Sequence, residues 1–367
     1  MKYLSLFSGI EAASVAWEPL GWECVAVSEI LEYQSNVIKK HYPNLKNFGD
    51  ITKITEDDIK ALGKIDVVIF GSPCADMSVA GKQLGLETIK EDTNHSSILF
   101  FEGMRVFRLA QKHCGARFLV WENVPGALNS NEGADFGKIL SEMVGVRFNS
   151  GRLVWGSEGC CIGNDSMLEW SVLDAQWFGV AQRRRRLFIV LDTGNWKDRQ
   201  PILLEQESSR GSIETLQKKR QGSSVSASKS LGEDCECLVF DRQSMGEYST
   251  NPIASTITGR DFKDFSDLIA YGIPGNWIGR KPENGGNSTQ YMENVAPCLT
   301  ATDKHGVAYD YKVRKLTPIE AERLQGFEDG WTDLGGTTFG KRINALGRSM
   351  AVPVIRWIGK QIEESIK

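Results

Sequence analysis

Three short apolar runs each stop at a residue able to do chemistry, and that repetition limits the possible folds more than any other feature of the 367-residue chain. Asp66-Val67-Val68-Ile69-Phe70 is β-branched and apolar and ends at Gly71-Ser72-Pro73-Cys74. Arg117-Phe118-Leu119-Val120-Trp121 ends at Glu122-Asn123-Val124-Pro125. Gln182-Arg183-Arg184-Arg185-Arg186 leads directly into Leu187-Phe188-Ile189-Val190-Leu191. Continuous apolar runs of this length suit strands buried on both faces. In an open parallel sheet the carboxyl ends of the strands line the ligand crevice. A thiol, a carboxylate and an arginine cluster at three strand boundaries therefore predict one site assembled from distant segments.

Tyr3 to Phe7 and Cys24 to Val27 read as further strands. Ala12 to Leu20, Leu31 to His41 and Ser97 to Lys112 read as helices, with Gly21 and Pro43 as stops after the first two. Such alternation predicts an α/β fold, a doubly wound, mostly parallel sheet with helices on both faces. Composition changes after Leu191. Residues 211–232 are rich in Ser, Lys and Gln and read as a loop, and 238–311 hold short β-type pieces broken by Gly, Asn, Pro and Asp. Helical patterning returns at Thr317-Pro318-Ile319-Glu320, an N-cap followed by proline at the first helical position. The expected organisation is a catalytic and cofactor-binding domain over 1–191, a smaller, irregular β-rich domain over 192–340, and a segment over 341–367 that returns to the first domain as a helix from Val352 to Ile366.

A hydrophobic content of 41% and a charged content of 25% fit an ordinary globular chain. No apolar run approaches the roughly 20 residues that span a bilayer. The N-terminus reads as a strand entering a turn rather than a signal peptide, so a cytoplasmic setting is expected. Eight cysteines occur without a Cys-x-x-Cys pair, and the four histidines are scattered, so neither zinc nor a disulfide framework is expected. The net charge of −4 excludes a uniformly basic coat but not a local stripe, and residues 183–229 carry 11 basic and 5 acidic side chains. Beyond Trp196 a solvated connector explains that stretch equally well.

Phe7-Ser8-Gly9 follows a strand and precedes a helix, where glycine lets a ligand approach the backbone. Glu29 ends the second strand at an offset from which a carboxylate can accept from ribose hydroxyls, and Asp50 could bind an adenine amino group. A tight turn with two surface acids is the competing reading. Gly-x-Gly-x-x-Gly and a Walker-type lysine loop are both missing from the sequence, which argues against dinucleotides and ATP hydrolysis. Cys74 supplies a soft nucleophile suited to an electron-poor carbon, beside a glycine-containing stretch over 80–87 that could close as a lid. Glu122 can serve as a proton donor or hydrogen-bonding partner. Alternation along an incoming strand places Arg184 and Arg186 on one face and Arg183 and Arg185 on the other.

These segments resemble, in the same order, the motifs of bacterial and phage DNA (cytosine-5)-methyltransferases. Leu6-Phe7-Ser8-Gly9 resembles that family's first motif, Gly71-Ser72-Pro73-Cys74 its Pro-Cys motif and Glu122-Asn123-Val124 its Glu-Asn-Val motif. Gln182 to Arg186 matches Gln-x-Arg-x-Arg, Arg314 to Phe327 matches the motif after the variable region, and Gly347 to Pro353 resembles the last one. The resemblance implies an S-adenosylmethionine-dependent methyltransferase fold with a target-recognition region at about 192–313. It implies methyl transfer to C5 of a flipped-out cytosine through a covalent Cys74–C6 adduct, with Glu122 at N3, Arg186 at O2 and Arg184 in support. It implies cofactor contacts at Phe7, Ser8, Gly9, Glu29, Asp50, Ile51, Pro73, Leu99 and Ser349. DNA contacts are expected among Ser78, Gln182, Arg242, Arg260, Lys263 and Thr300. The expected partner is double-stranded DNA, engaged by a monomer, with any cognate restriction endonuclease acting independently.

The chain departs from the family pattern at several positions. Glu11 replaces a second glycine, Ala75-Asp76-Met77-Ser78 follows the cysteine, Ala181 stands where proline is common, Cys298 replaces a threonine and Arg348 replaces an asparagine beside the cofactor. Cytosine methylation of RNA and non-catalytic DNA binding are the competing functions. A nicotinamide dehydrogenase would leave Cys74, Glu122 and the arginines without roles.

Overall fold

In this computed structural model the described residues are 1–72, 98–148, 153–204 and 315–367, together with the backbone of short strands between 239 and 314. They fall into two compact units. Unit 1 comprises Met1–Leu173, Arg185–Arg210 and Ser349–Lys367, and unit 2 comprises Asp174–Arg184 and Gly211–Arg348. Residues just after Leu191 thus stay with the first unit, and the chain returns to it at Ser349 rather than at 341.

Unit 1 is built on a seven-stranded sheet of order β2-β1-β3-β4-β7-β6-β5. The strands are β1 (Lys2–Leu6), β2 (Glu23–Ser28), β3 (Val67–Phe70), β4 (Phe118–Asn123), β5 (Glu158–Ile162), β6 (Met167–Asp174) and β7 (Arg185–Asp192). Pairing is parallel between β1 and β2, β1 and β3, and β3 and β4. It is antiparallel between β4 and β7 and between β5 and β6. β3 and β4 are buried nearly throughout, as their unbroken apolar runs require.

The helices of unit 1 are α1 (Ala12–Trp17), α2 (Glu32–His41), α3 (Glu56–Lys60), α4 (Ile98–Cys114), α5 (Ala134–Val144) and, at the C-terminus, a helix over Val352–Ser365. α1 is shorter than its sequence pattern suggests, because Pro19 follows it within a 3-10 turn over Glu18–Leu20 that Gly21 closes with a left-handed backbone. α4 packs Phe100, Met104 and Phe107 into a core with Phe70, Leu119 and Trp121. The C-terminal helix docks on α1: Trp17 Nε1 donates to Ile355 O at 2.8 Å, and Trp22 Nε1 donates to Glu363 at 2.6 Å.

A buried ionic network fixes the exit from β7. Arg199, 2% exposed, bridges Asp192 (2.8 Å) and Glu169 (2.6 Å), and Glu169 also accepts from the backbone N–H groups of Ile202 and Leu203. Arg117 makes a second, paired contact with Asp192.

Unit 2 contains the hairpin of β8 (Val239–Ser244) and β9 (Glu247–Asn251). It also contains a four-stranded sheet of order β11-β10-β12-β13, formed by Tyr271–Ile273, Met292–Glu293, Gly306–Tyr309 and Lys312–Lys315 taken as β10 to β13. Two helices follow, α6 (Pro318–Gln325) and α7 (Phe339–Arg348), so the C-terminal helix is α8. Thr317 is the N-cap that the sequence predicts at the start of α6, and it forms a reciprocal capping box with Glu320.

Candidate active site

The carboxyl ends of β1, β2, β3 and β4 carry the site, as expected of parallel strands. After β1 the backbone makes three left-handed residues in alternation: Phe7 (φ +50°), Gly9 (φ +57°) and Glu11 (φ +64°). Gly9 donates its N–H to Glu29 Oε2 at 2.7 Å, and Glu29 Oε1 accepts from Leu31 N at 2.8 Å. A Cβ built on Gly9 would meet nothing within 4 Å, so open space lies before this backbone. Ser8 Oγ donates to Ser5 O at 3.0 Å, and the Phe7 ring lies 6.2 Å from that of Phe70. Asp50 caps the short turn Ile51–Lys53 by accepting from Thr52. Those bonds from Thr52 hold its carboxyl below the usual carboxylate range. Ile51 is buried in the core, Leu99 is partly buried against it, and Ser349 is buried at the start of the C-terminal segment of unit 1.

Glu11 explains its own departure from the family pattern. A left-handed backbone is where glycine is favoured, and a larger residue there costs about 1–2 kcal/mol. The glutamate offsets that cost by capping α1. Its fully buried carboxyl accepts from Ser14 N (3.1 Å), Ser14 Oγ (3.0 Å) and Ser5 Oγ (2.9 Å). Burial pushes its pKa up to about 7, against the lowering pull of those bonds. Nearby, burial also raises the Tyr3 phenol and the Cys24 thiol.

Glu122, near the end of β4, faces Arg186 on the neighbouring antiparallel strand β7. Glu122 pairs with Phe188 in the ladder, and Arg186 Nε lies 3.2 Å from Glu122 Oε1, with both side chains mostly buried. A Cβ added to Gly71 would fall 3.0 Å from Glu122 Oε2 and 3.0 Å from Met350 Cε. Glycine at 71 therefore lets the carboxyl lie against the chain just beyond β3. Trp121 Nε1 donates to Ser72 Oγ at 3.1 Å and anchors the next residue. Pro73, Cys74 and Ser78 lie outside the described residues.

Burial alternates along the arginine run as the sequence predicts, with 184 and 186 turned inward and 183 and 185 exposed. The two inward arginines have different partners. Arg186 belongs to unit 1 and meets Glu122, whereas Arg184 belongs to unit 2 and donates to Gly347 O at 3.3 Å. Gln182, expected at the DNA, is buried, and its amide donates to Leu324 O at 3.0 Å. Arg242 stands in β8, while Arg260, Lys263 and Thr300 lie outside the described residues. Arg348 is exposed at the end of α7.

Sequence reasoning missed three residues at this site. Ile30 leaves an apolar side chain 67% exposed beside Glu29, an exposure that sequence alone does not reveal. Trp121 and Asn47 act through contacts distant in sequence that no local pattern announces.

The profile of the C-5 cytosine-specific DNA methylase family matches residues 1–364. The chain belongs to that family. Among similar proteins, one from Escherichia phage P1 described as a DNA N-6-adenine-methyltransferase is 30% identical, over 99% of this methylase chain and 61% of its own length. The chain thus spans about three fifths of that relative. The type II methyltransferase M.HpaII of Haemophilus parainfluenzae is 27% identical, over 99% of this chain and 89% of its own. The Entamoeba histolytica methyltransferase EhMeth shares the fold, with a TM-score of 0.58 at 14% identity, covering 100% of this chain and 99% of its own. No helix among the described residues is long and apolar enough to cross a membrane.

Proposed function

We propose that this methylase transfers a methyl group from S-adenosylmethionine to C5 of a cytosine in double-stranded DNA. The observation that carries the reading is the Glu122 carboxyl, held between Arg186 and Gly71 at the entrance to the Pro73-Cys74 segment.

The nucleoside of the cofactor suits the ends of β1 and β2. The Glu29 carboxylate, oriented by the backbone N–H groups of Gly9 and Leu31, is an acceptor of the kind that ribose hydroxyls need. Ile30 offers an exposed apolar face for a flat base, Asp50 and Ile51 stand where an adenine edge would be read, and the space before Gly9 is open. When bound, S-adenosylmethionine supplies an electrophilic methyl carbon on a sulfonium.

A ring carbon inside a duplex is out of reach, so the cytosine leaves the stack before reaction. The Cys74 thiolate then bonds to C6, and Glu122, by protonating or hydrogen-bonding N3, stabilises the charge pushed into the ring. C5, made nucleophilic, would take the methyl carbon as its bond to the sulfonium sulfur breaks and the neutral thioether leaves. Loss of the C5 proton and of the thiolate restores the aromatic ring. Arg186 orients Glu122 and brings a cationic guanidinium to the side of the site where the base oxygen would lie. Residues 192–313 would read the target sequence.

Methylation of an exocyclic adenine nitrogen, the activity in the phage P1 relative's description, needs no thiol adduct and would leave Cys74 idle. The test is transfer of tritiated methyl from S-adenosylmethionine to duplex DNA and to tRNA, followed by nucleoside digestion. Label is expected in 5-methyldeoxycytidine from DNA, and Cys74→Ala abolishes it. Label in N6-methyldeoxyadenosine, label confined to tRNA, or none at all overturns the proposal.

A further inference from the structure

Asn47 stands in the stretch after α2, outside the six motif segments named in the sequence analysis, yet its side-chain amide makes four hydrogen bonds. Oδ1 accepts from the backbone N–H of Glu29 (3.0 Å) and of Gly49 (2.9 Å). Nδ2 donates to Glu29 O (3.1 Å) and to Ser35 Oγ (3.1 Å). Backbone N–H groups only donate and carbonyls only accept, so this orientation of the amide is the one that satisfies all four contacts.

The arrangement is a clamp. Both backbone groups of Glu29 are bound, and so is the residue immediately before Asp50. Surrounding bonds set the two strands of chain side by side. Asn47 pairs in parallel with Val27, Val27 N donates to Lys46 O, Phe48 N donates to Val27 O, and Ser28 Oγ donates to Gly49 O. The Asn47 amide is what extends this pairing past the end of β2 to Glu29. Gly49, at φ +70°, then turns the chain into Asp50 and Ile51.

We propose that Asn47 is a positioning residue for the cofactor: it fixes the span between the ribose-facing carboxylate of Glu29 and the adenine-facing backbone at Asp50 and Ile51. The inference rests on the S-adenosylmethionine reading given above. A nucleoside bound at both ends gains affinity when that span is already fixed in the free protein, because ordering it on binding would cost free energy. Asn47 touches neither the base nor the sugar in this account, so its loss acts through Glu29 and Asp50.

The test is calorimetric affinity for S-adenosylhomocysteine, with steady-state kinetics on duplex DNA, for wild type, Asn47→Ala, Asn47→Asp, Glu29→Ala and the double variant Asn47→Ala/Glu29→Ala. Asn47→Ala is expected to weaken the nucleoside about 10- to 30-fold. It should raise the KM for S-adenosylmethionine in parallel, leaving the KM for DNA and the kcat at saturating cofactor within threefold. Asn47→Asp, which keeps the acceptors and loses the donors to Glu29 O and Ser35, should show the same selective loss. In the Glu29→Ala background the Asn47→Ala effect should shrink to threefold or less, since the group it positions is gone. Unchanged affinity in both Asn47 variants, a matching rise in the KM for DNA, or full additivity with Glu29→Ala overturns the inference. Failure of the wild type to bind the nucleoside at all overturns instead the cofactor reading on which it rests.

Discussion

Replacing Glu11 by glutamine should change how the stability of unit 1 responds to pH, in a direction fixed by the structure. The Glu11 carboxyl is fully buried, and burial raises its pKa from 4.5 to about 7. In the unfolded chain it returns to the ordinary value, so the folded state binds the proton more tightly between those limits. The resulting stabilisation is fully present below pH ~4.5 and is lost as pH rises through about 7. A shift of about 2.5 units at 1.36 kcal/mol each amounts to roughly 3 kcal/mol. Glutamine imitates the protonated acid: its oxygen accepts from Ser14 N, its amide can donate to Ser5 Oγ, and it never ionises. Wild type and Glu11→Gln should therefore melt within a few degrees of each other at pH 5. By pH 8.5 the variant should melt higher by about 6–12 °C, taking roughly 2–4 °C per kcal/mol for a unit of this size. Tyr3 and Cys24, the neighbouring groups, are pushed upward by burial and stay neutral across this window. Thermal unfolding of both proteins from pH 5 to 8.5 is the assay. Two curves that run parallel, with a constant gap, refute the reasoning.

Two further perturbations follow from named contacts. Gly71→Ala places a methyl group 3.0 Å from Glu122 Oε2, so the carboxyl must shift by a few tenths of an ångström; kcat should fall about 10- to 100-fold with a melting change under ~3 °C, and an unaffected kcat would show that this approach is irrelevant. Arg199→Met leaves the buried carboxylates of Glu169 and Asp192 short of a counter-ion and should cost about 3–5 kcal/mol, measured by denaturant unfolding of the intact chain.

How much of this could be read from sequence divides along a physical line. Features set by local chemistry were legible. The apolar runs ending at Phe70 and Trp121 became buried parallel strands, Thr317 capped α6, and the alternation along 183–186 left Arg184 and Arg186 less exposed than Arg183 and Arg185. Features set by distant partners were not. Nothing local marks Trp121 as the anchor of Ser72 or shows that the amide of Gln182 turns into unit 2. Strands β5 and β6 were not read from sequence: three of the five residues of β5 are exposed, and the pair forms an antiparallel hairpin without a long apolar run. The departure at Glu11 was visible, but its meaning was not, since a left-handed backbone and a buried cap become apparent only in three dimensions.

The chain leaves unit 1 after β6, spends Asp174–Arg184 in unit 2, and comes back as β7. That excursion is bonded to the later part of unit 2, through Gln182 to Leu324 and Arg184 to Gly347. The segment 211–348 is therefore not a cassette that can be cut out between two neighbouring junctions. A chimera that transplants it must carry the eleven-residue strip 174–184 from the same parent, or the graft arrives without the side chains that its own carbonyls expect.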